Sequence, residues 1–153
     1  MNSHTSDQCQ CHLSSNVSAS VFKTLDELEF RRSLCSSAQQ NDINEVRERL
    51  KSQSSTINRC DSSGYTALHY SVRFQPADIC RLLLENGADP NCQTHASLST
   101  PLHRAVLFKN IEAIRLLLQY KADLTLKDID GQTPIDKART IDQTMTDLFT
   151  NRN

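Results

Sequence analysis

Thiolates and imidazoles are the side chains best suited to soft-metal chemistry, and the chain gathers Cys9, Cys11 and His12 near its start, with His4 close by. Such donors fit zinc or copper(I). The spacing Cys-x-Cys-His is too tight for a closed four-ligand site, however, and no second Cys pair stands near it. The Ser and Asn content of residues 1–20 points instead to a disordered polar tail, because such a segment has too little apolar surface to order itself. No metal and no cofactor is therefore expected. His69 and His103 are the other candidates, as ligands or as general bases beside a serine. No Gly-x-Ser-x-Gly elbow accompanies them, and three glycines, each in a turn-like stretch, do not build a phosphate-binding loop. Acid, base and nucleophile converge on no motif, so no catalytic residue is assigned and an enzyme, including an autonomous hydrolase, is not expected.

Composition removes further classes. Seventeen Lys and Arg stand against eighteen Asp and Glu in 153 residues, a net charge of -1. Nucleic acid and anionic membranes both select for a surplus of positive charge, so neither is expected as a partner. The longest aliphatic runs, Leu82-Leu83-Leu84 and Leu116-Leu117-Leu118, fall far short of a membrane span. The Ser-rich start has no apolar core of a secretion signal, which sets the expectation of an intracellular protein, cytoplasmic or nuclear. In that reducing setting the six cysteines are expected to be unpaired.

Positioning of these side chains falls to a repeat. Tyr65-Thr66-Ala67-Leu68-His69-Tyr70-Ser71 recurs as Ser99-Thr100-Pro101-Leu102-His103-Arg104-Ala105 and as Gln132-Thr133-Pro134-Ile135-Asp136-Lys137-Ala138. The offsets are 34 and 33 residues, and the first also carries Leu82-Leu83-Leu84 onto Leu116-Leu117-Leu118 and Ala88-Asp89 onto Ala122-Asp123. Run backward, it maps Leu68 onto Leu34, Cys80 onto Val46 and Leu84 onto Leu50. Each unit reads as two short antiparallel helices and a turn. Thr66, Thr100 and Thr133 are helix caps, with Pro at the first helical position in two of them. Ile111, Ile114, Leu117 and Leu118 have helical spacing, with Glu112 and Arg115 on the other side. Gly87 is a left-handed stop, while Asp61-Ser62-Ser63-Gly64 and Asp128-Ile129-Asp130-Gly131 are turn chemistry for a hairpin between units. Cys80 falls at a buried helical position, and Cys60 and Cys92 flank hairpins, where partial exposure is expected.

Thr-Pro-Leu-His, the paired Leu run and Gly-Ala-Asp-x-Asn together resemble the ankyrin repeat, over about residues 31–150. The resemblance implies an all-α solenoid of stacked helix-turn-helix units with projecting β-hairpin loops. The organisation expected is a disordered tail over 1–22 and a repeat domain over 23–153. That domain divides into a degenerate capping unit (23–60), repeats at 61–94 and 95–127, and a truncated cap (128–153). Departures are visible. Asn41, Gln75 and Lys109 replace Gly where the helices of a unit meet, and Asp136 replaces the motif His. The middle hairpin has one extra residue and Leu98 in place of Gly64 and Gly131, so distortion is expected there.

The resemblance also implies roles. His69 and His103 become scaffold residues bonded to the Thr three positions earlier. Asn91 resembles the hairpin asparagines that an asparaginyl hydroxylase modifies, although Pro90 stands where an aliphatic residue is usual. Partners dock on the concave face of such stacks, which by position comprises Gln39-Gln40, Arg73-Phe74, Leu107-Phe108 and Thr140-Ile141, with Tyr65, Leu98 and Ile129 at hairpins. Aromatic residues and Arg dominate protein hot spots, so Tyr65, Arg73, Phe74, Leu107 and Phe108 are the expected partner-binding set; packing of Phe74 and Phe108 beneath the inter-helix loop is the competing role. Residues 95–127 carry five Lys and Arg against two Asp and Glu, whereas 61–94 carry two against four; a plain solvated charged face is the first expectation, and steering of an acidic peptide by the third unit is the alternative. The expected function is a monomeric, non-catalytic adaptor for a partner protein. The alternative is an accessory subunit of an enzyme complex with a metal-binding or redox-sensitive tail.

Overall fold

The computed structural model describes residues 33–52 and 56–150. Helices α1 (Leu34–Gln39) and α2 (Ile43–Ser52) form a first pair, α3 (Ala67–Ser71) and α4 (Asp78–Glu85) a second, and α5 (Pro101–Leu107) and α6 (Ile111–Gln119) a third. Helix α7 (Pro134–Ile141) is followed by a 3-10 turn, Gln143–Thr146, and by α8 (Asp147–Thr150). Helices of this length are marginal alone in water, so they persist by packing on neighbours. The first helices α1, α3, α5 and α7 lie side by side in one layer, and α2, α4 and α6 in a second.

The core runs between the layers. Leu68, Leu83, Leu102, Ile114 and Leu117 are fully buried, and so are Val46, Val72 and Val106. Each such aliphatic side chain contributes about 1.5 to 3 kcal/mol by leaving water. The α4 stripe Ile79, Cys80, Leu83, Leu84 and the α6 stripe Ala113, Ile114, Leu116, Leu117 are the buried faces of amphipathic helices. Cys80 is buried as expected, whereas Cys92 is 2% exposed, which corrects its placement at a partly exposed edge.

Three loops project between the pairs. Each is closed by a main-chain bond: Asp61 N–H to Tyr65 O (2.9 Å), Thr94 N–H to Ser99 O (3.1 Å) and Asp128 N–H to Gln132 O (2.9 Å). Successive loops are joined by His95 N–H to Ser63 O (3.0 Å) and Ile129 N–H to Ser97 O (2.9 Å). These isolated bonds make no strand among the described residues. The middle loop absorbs its extra residue with Thr94 Oγ1, which accepts from Ser99 N–H and lies 2.7 Å from Ser97 Oγ. Leu98 takes a φ of +50°, the left-handed conformation that Gly64 (+84°) and Gly131 (+73°) take in the other two.

Elsewhere the same geometry recurs on non-glycine residues. Gly87 ends α4 at +91°, and Lys121, 34 residues later, stands at +61° after α6. Asn41 (+57°) and Lys109 (+52°) make the turns inside the first and third pairs, while the second makes its turn at a cis Gln75–Pro76 peptide. Because a left-handed L-residue costs about 1 to 2 kcal/mol, Lys121→Gly is expected to raise the urea unfolding free energy by up to about 1 kcal/mol. Gly64→Ala should lower it by about 2 kcal/mol or more, because an added Cβ would lie 2.5 Å from His95 N as well as at positive φ. Equal stability of wild type and Gly64→Ala contradicts this account.

Candidate functional site

The buried polar groups explain what the histidines do. Thr66 N–H donates to His69 Nδ1 (3.1 Å), with Thr66 Oγ1 2.9 Å from the same nitrogen. An Nδ1 that accepts from a backbone N–H carries no proton, so the neutral ring is protonated at Nε2, which donates to Ser99 O of the next unit (3.1 Å). His103 repeats the arrangement: Thr100 N–H to Nδ1 (3.2 Å) and Nε2 to Gln132 O (3.0 Å). Both histidines are therefore scaffold, capping one helix and locking it to the next hairpin. In the last unit Asp136 Oδ2 accepts from Thr133 N–H (3.0 Å) and Thr133 Oγ1 (2.7 Å), which preserves the cap. Cys35, 34 residues before His69, points its thiol at Tyr65 O (3.5 Å), the carbonyl equivalent to Ser99 O and Gln132 O.

Asparagine side chains tie the units together as well. Asn58 Oδ1 accepts from Asp89 N–H (2.8 Å) and Asn91 Oδ1 from Asp123 N–H (2.7 Å). Asn110, fully buried, donates to Val72 O and Phe74 O and caps α6 through Ala113 N–H. Burial pushes the Cys35 and Cys80 thiols up to about 12, so neither is a thiolate at neutral pH. Cys60 is disulfide-bonded, which corrects the expectation that every cysteine is unpaired; the free ones among the described residues are Cys35, Cys80 and Cys92. The Cys9, Cys11 and His12 cluster and the tail over 1–22 lie outside the described residues. Among the described residues no helix is long and apolar enough to cross a membrane.

On the side formed by the loops and the first helices, cations and rings meet. The Arg104 guanidinium lies over the rings of Tyr65 (4.7 Å) and Phe108 (5.3 Å), and its Nε donates to His69 O (3.1 Å). Tyr65 is in turn 5.5 Å from the Tyr70 ring and edge-on to His69 at 5.7 Å. Arg73 lies over Phe74 at 5.2 Å. Leu107 is 58% and Phe108 39% exposed, whereas Phe74 and Tyr65 are half-buried. Arg104 thus brings Tyr65 and Phe108 together, with Leu107 adjoining, and Arg73 and Phe74 form a separate pair at the end of the neighbouring first helix.

Arg104 itself is absent from the sequence-derived set. Its signal was present in the register. Positions 70, 104 and 137 are equivalent, and so are 61, 94 and 128. Tyr70 donates to Asp61 (2.6 Å) and Lys137 pairs with Asp128, whereas the middle unit has Thr94 where the others have Asp, so Arg104 has no loop carboxylate to meet.

Comparison with known proteins agrees with this architecture. A family model described as ankyrin repeats (3 copies) matches residues 9–94 and 34–128. The human ankyrin repeat domain-containing protein 39 is 39% identical over 75 residues, 49% of this chain and 40% of that protein. Human BCL-6 corepressor-like protein 1 is 43% identical over 84 residues, 55% of this chain and 5% of that protein. The palmitoyltransferase akr1 of Schizosaccharomyces pombe is 39% identical over 59 residues, 39% of this chain and 9% of that protein. The aligned stretch thus spans well under half the length of each of these curated relatives.

Burial pushes the His69 imidazole down to about 4 and lowers that of His103. A base whose folded pKa lies below an unfolded value near 6.5 contributes stability that is fully present above about 6.5 and is lost as pH falls through the folded pKa. Urea midpoints should fall between pH 6.5 and 4.5. The histidine share of that slope is at most about 1.4 kcal/mol per pH unit for each ring. His69→Gln should be less stable at pH 7 yet show a shallower slope in this window, and an unchanged slope would rule out the buried neutral ring as its source.

Proposed function

The chain belongs to the ankyrin-repeat family, and from that membership we propose that it is a non-catalytic interaction module that binds a partner protein on its concave face, at Tyr65, Arg73, Phe74, Leu107 and Phe108. Ankyrin repeats serve generally as protein-interaction modules, and the family is typically non-catalytic. The observation that carries the reading is the exposure of Leu107 and Phe108 at the end of a first helix whose other apolar residues, Leu102, Ala105 and Val106, are fully buried. Leu98 and Ile129, on adjoining loops, are further exposed apolar residues at 42% and 65%.

Binding energy at such a surface comes from a few desolvated anchors. The loops and first helices are already held by the buried Thr–His and Asn bonds, so a partner segment meets a surface with little ordering left to do. Circular dichroism identifies folded variants for a capture experiment from cell lysate. Leu107→Asp and the pair Phe74→Ala, Phe108→Ala should each lose proteins that wild type and the second-helix control Arg115→Ala retain. Loss with Arg115→Ala alone moves the site to the other face, and identical capture by all variants removes the concave-face reading.

A further inference from the structure

At Arg104 the repeat's own register leaves a strong hydrogen-bond donor without the acid that its counterparts meet. At the two equivalent positions Tyr70 and Lys137 reach a carboxylate on their own loop, Asp61 and Asp128. Thr94 occupies that place in the middle unit and bonds Ser99 and Ser97 instead. Among the described residues Arg104 makes no ion pair. The Asp61 carboxylate beside Tyr65 is occupied, since it accepts from Ser63 N–H, Tyr65 N–H and Tyr70 Oη–H.

The same side chain is already held in place. Its Nε bonds His69 O and its planar group lies over two rings, which leaves the two terminal nitrogens, four N–H donors in a fixed fork, without a protein acceptor among the described residues. A guanidinium oriented by stacking loses little freedom when a carboxylate arrives, and a two-bond Arg–carboxylate contact is among the stronger charge-assisted pairs. The ends of the two neighbouring first helices carry Arg73 and Lys109, both exposed, which adds positive potential to the same side. Leu107 and Phe108 supply an adjoining apolar seat.

We propose that Arg104 is a specificity-determining residue of this surface, and that its occupant is a linear acidic segment of a partner protein. One Asp or Glu carboxylate of that segment engages the Arg104 fork, and a neighbouring apolar side chain covers Leu107 and Phe108. The proposal rests on the concave-face reading and narrows it to a partner chemistry.

Phage display of random dodecapeptides on the immobilised full chain tests it, with fluorescence anisotropy of the selected peptides at low and high salt. The expected result is enrichment of an acidic residue beside an aliphatic or aromatic one. Changing that acid to its amide should weaken binding to the unaltered protein by about tenfold or more. Arg104→Met should lose a similar factor for the acidic peptide and little for the amide. The amide comparison decides the matter even if Arg104→Met fails to fold, because it leaves the protein untouched. Selected peptides that depend on Leu107 but tolerate the amide overturn the acidic anchor and leave the concave-face reading standing. Peptides indifferent to both Leu107→Asp and the amide overturn both. Selection of no peptide overturns the linear acidic occupant, with the capture experiment still reporting on the surface by itself.

Discussion

The stack depends on one buried bond repeated at each junction: a side chain in the first turn of a first helix reaches across to the carbonyl at the end of the next loop. His69 to Ser99 O and His103 to Gln132 O are the strong forms, and Cys35 to Tyr65 O is the weak one. A buried carbonyl left without a donor costs about 1 to 3 kcal/mol, so the bond penalises any other register between neighbours. Apolar packing between short helices is non-directional and would tolerate sliding; the imidazole, with one end on a helix cap and the other on the next loop, does not.

The variations follow from position in the stack. Asp136 caps its own helix through Thr133, and the chain beyond α7 continues into a 3-10 turn and α8 rather than another loop of the same kind. In the middle unit the exchange of Asp for Thr94 keeps the loop closed through the hydroxyl, yet removes the charge that its counterparts present to Tyr70 and Lys137. Arg104 is consequently drawn to the rings of Tyr65 and Phe108 and to His69 O. A single change inside a loop thereby alters the electrostatics of the face beside it.

Much of the scaffold was legible. The caps at Thr66, Thr100 and Thr133 and the stop at Gly87 were readable as local preferences repeated at a fixed offset, and the scaffold role of both histidines followed from the family resemblance. The candidate surface was legible only in outline. Exposure of Leu107 and partial burial of Phe74 depend on how far each first helix extends, and α3 ends after five residues where α5 runs for seven. The burial of Cys92 and the disulfide at Cys60 have no signal in local pattern.

By itself, the sequence determined the repeat, its period and the threonine caps that start its helices, for a cap rests on interactions within about four residues along the chain. Tertiary structure alone decided that Arg104 lies over Tyr65 and that Asn91 and Asn110 hold adjoining units. The reason is geometric: those partners lie 32 to 39 residues away, and an acceptor across a repeat boundary becomes visible only when both units share one register.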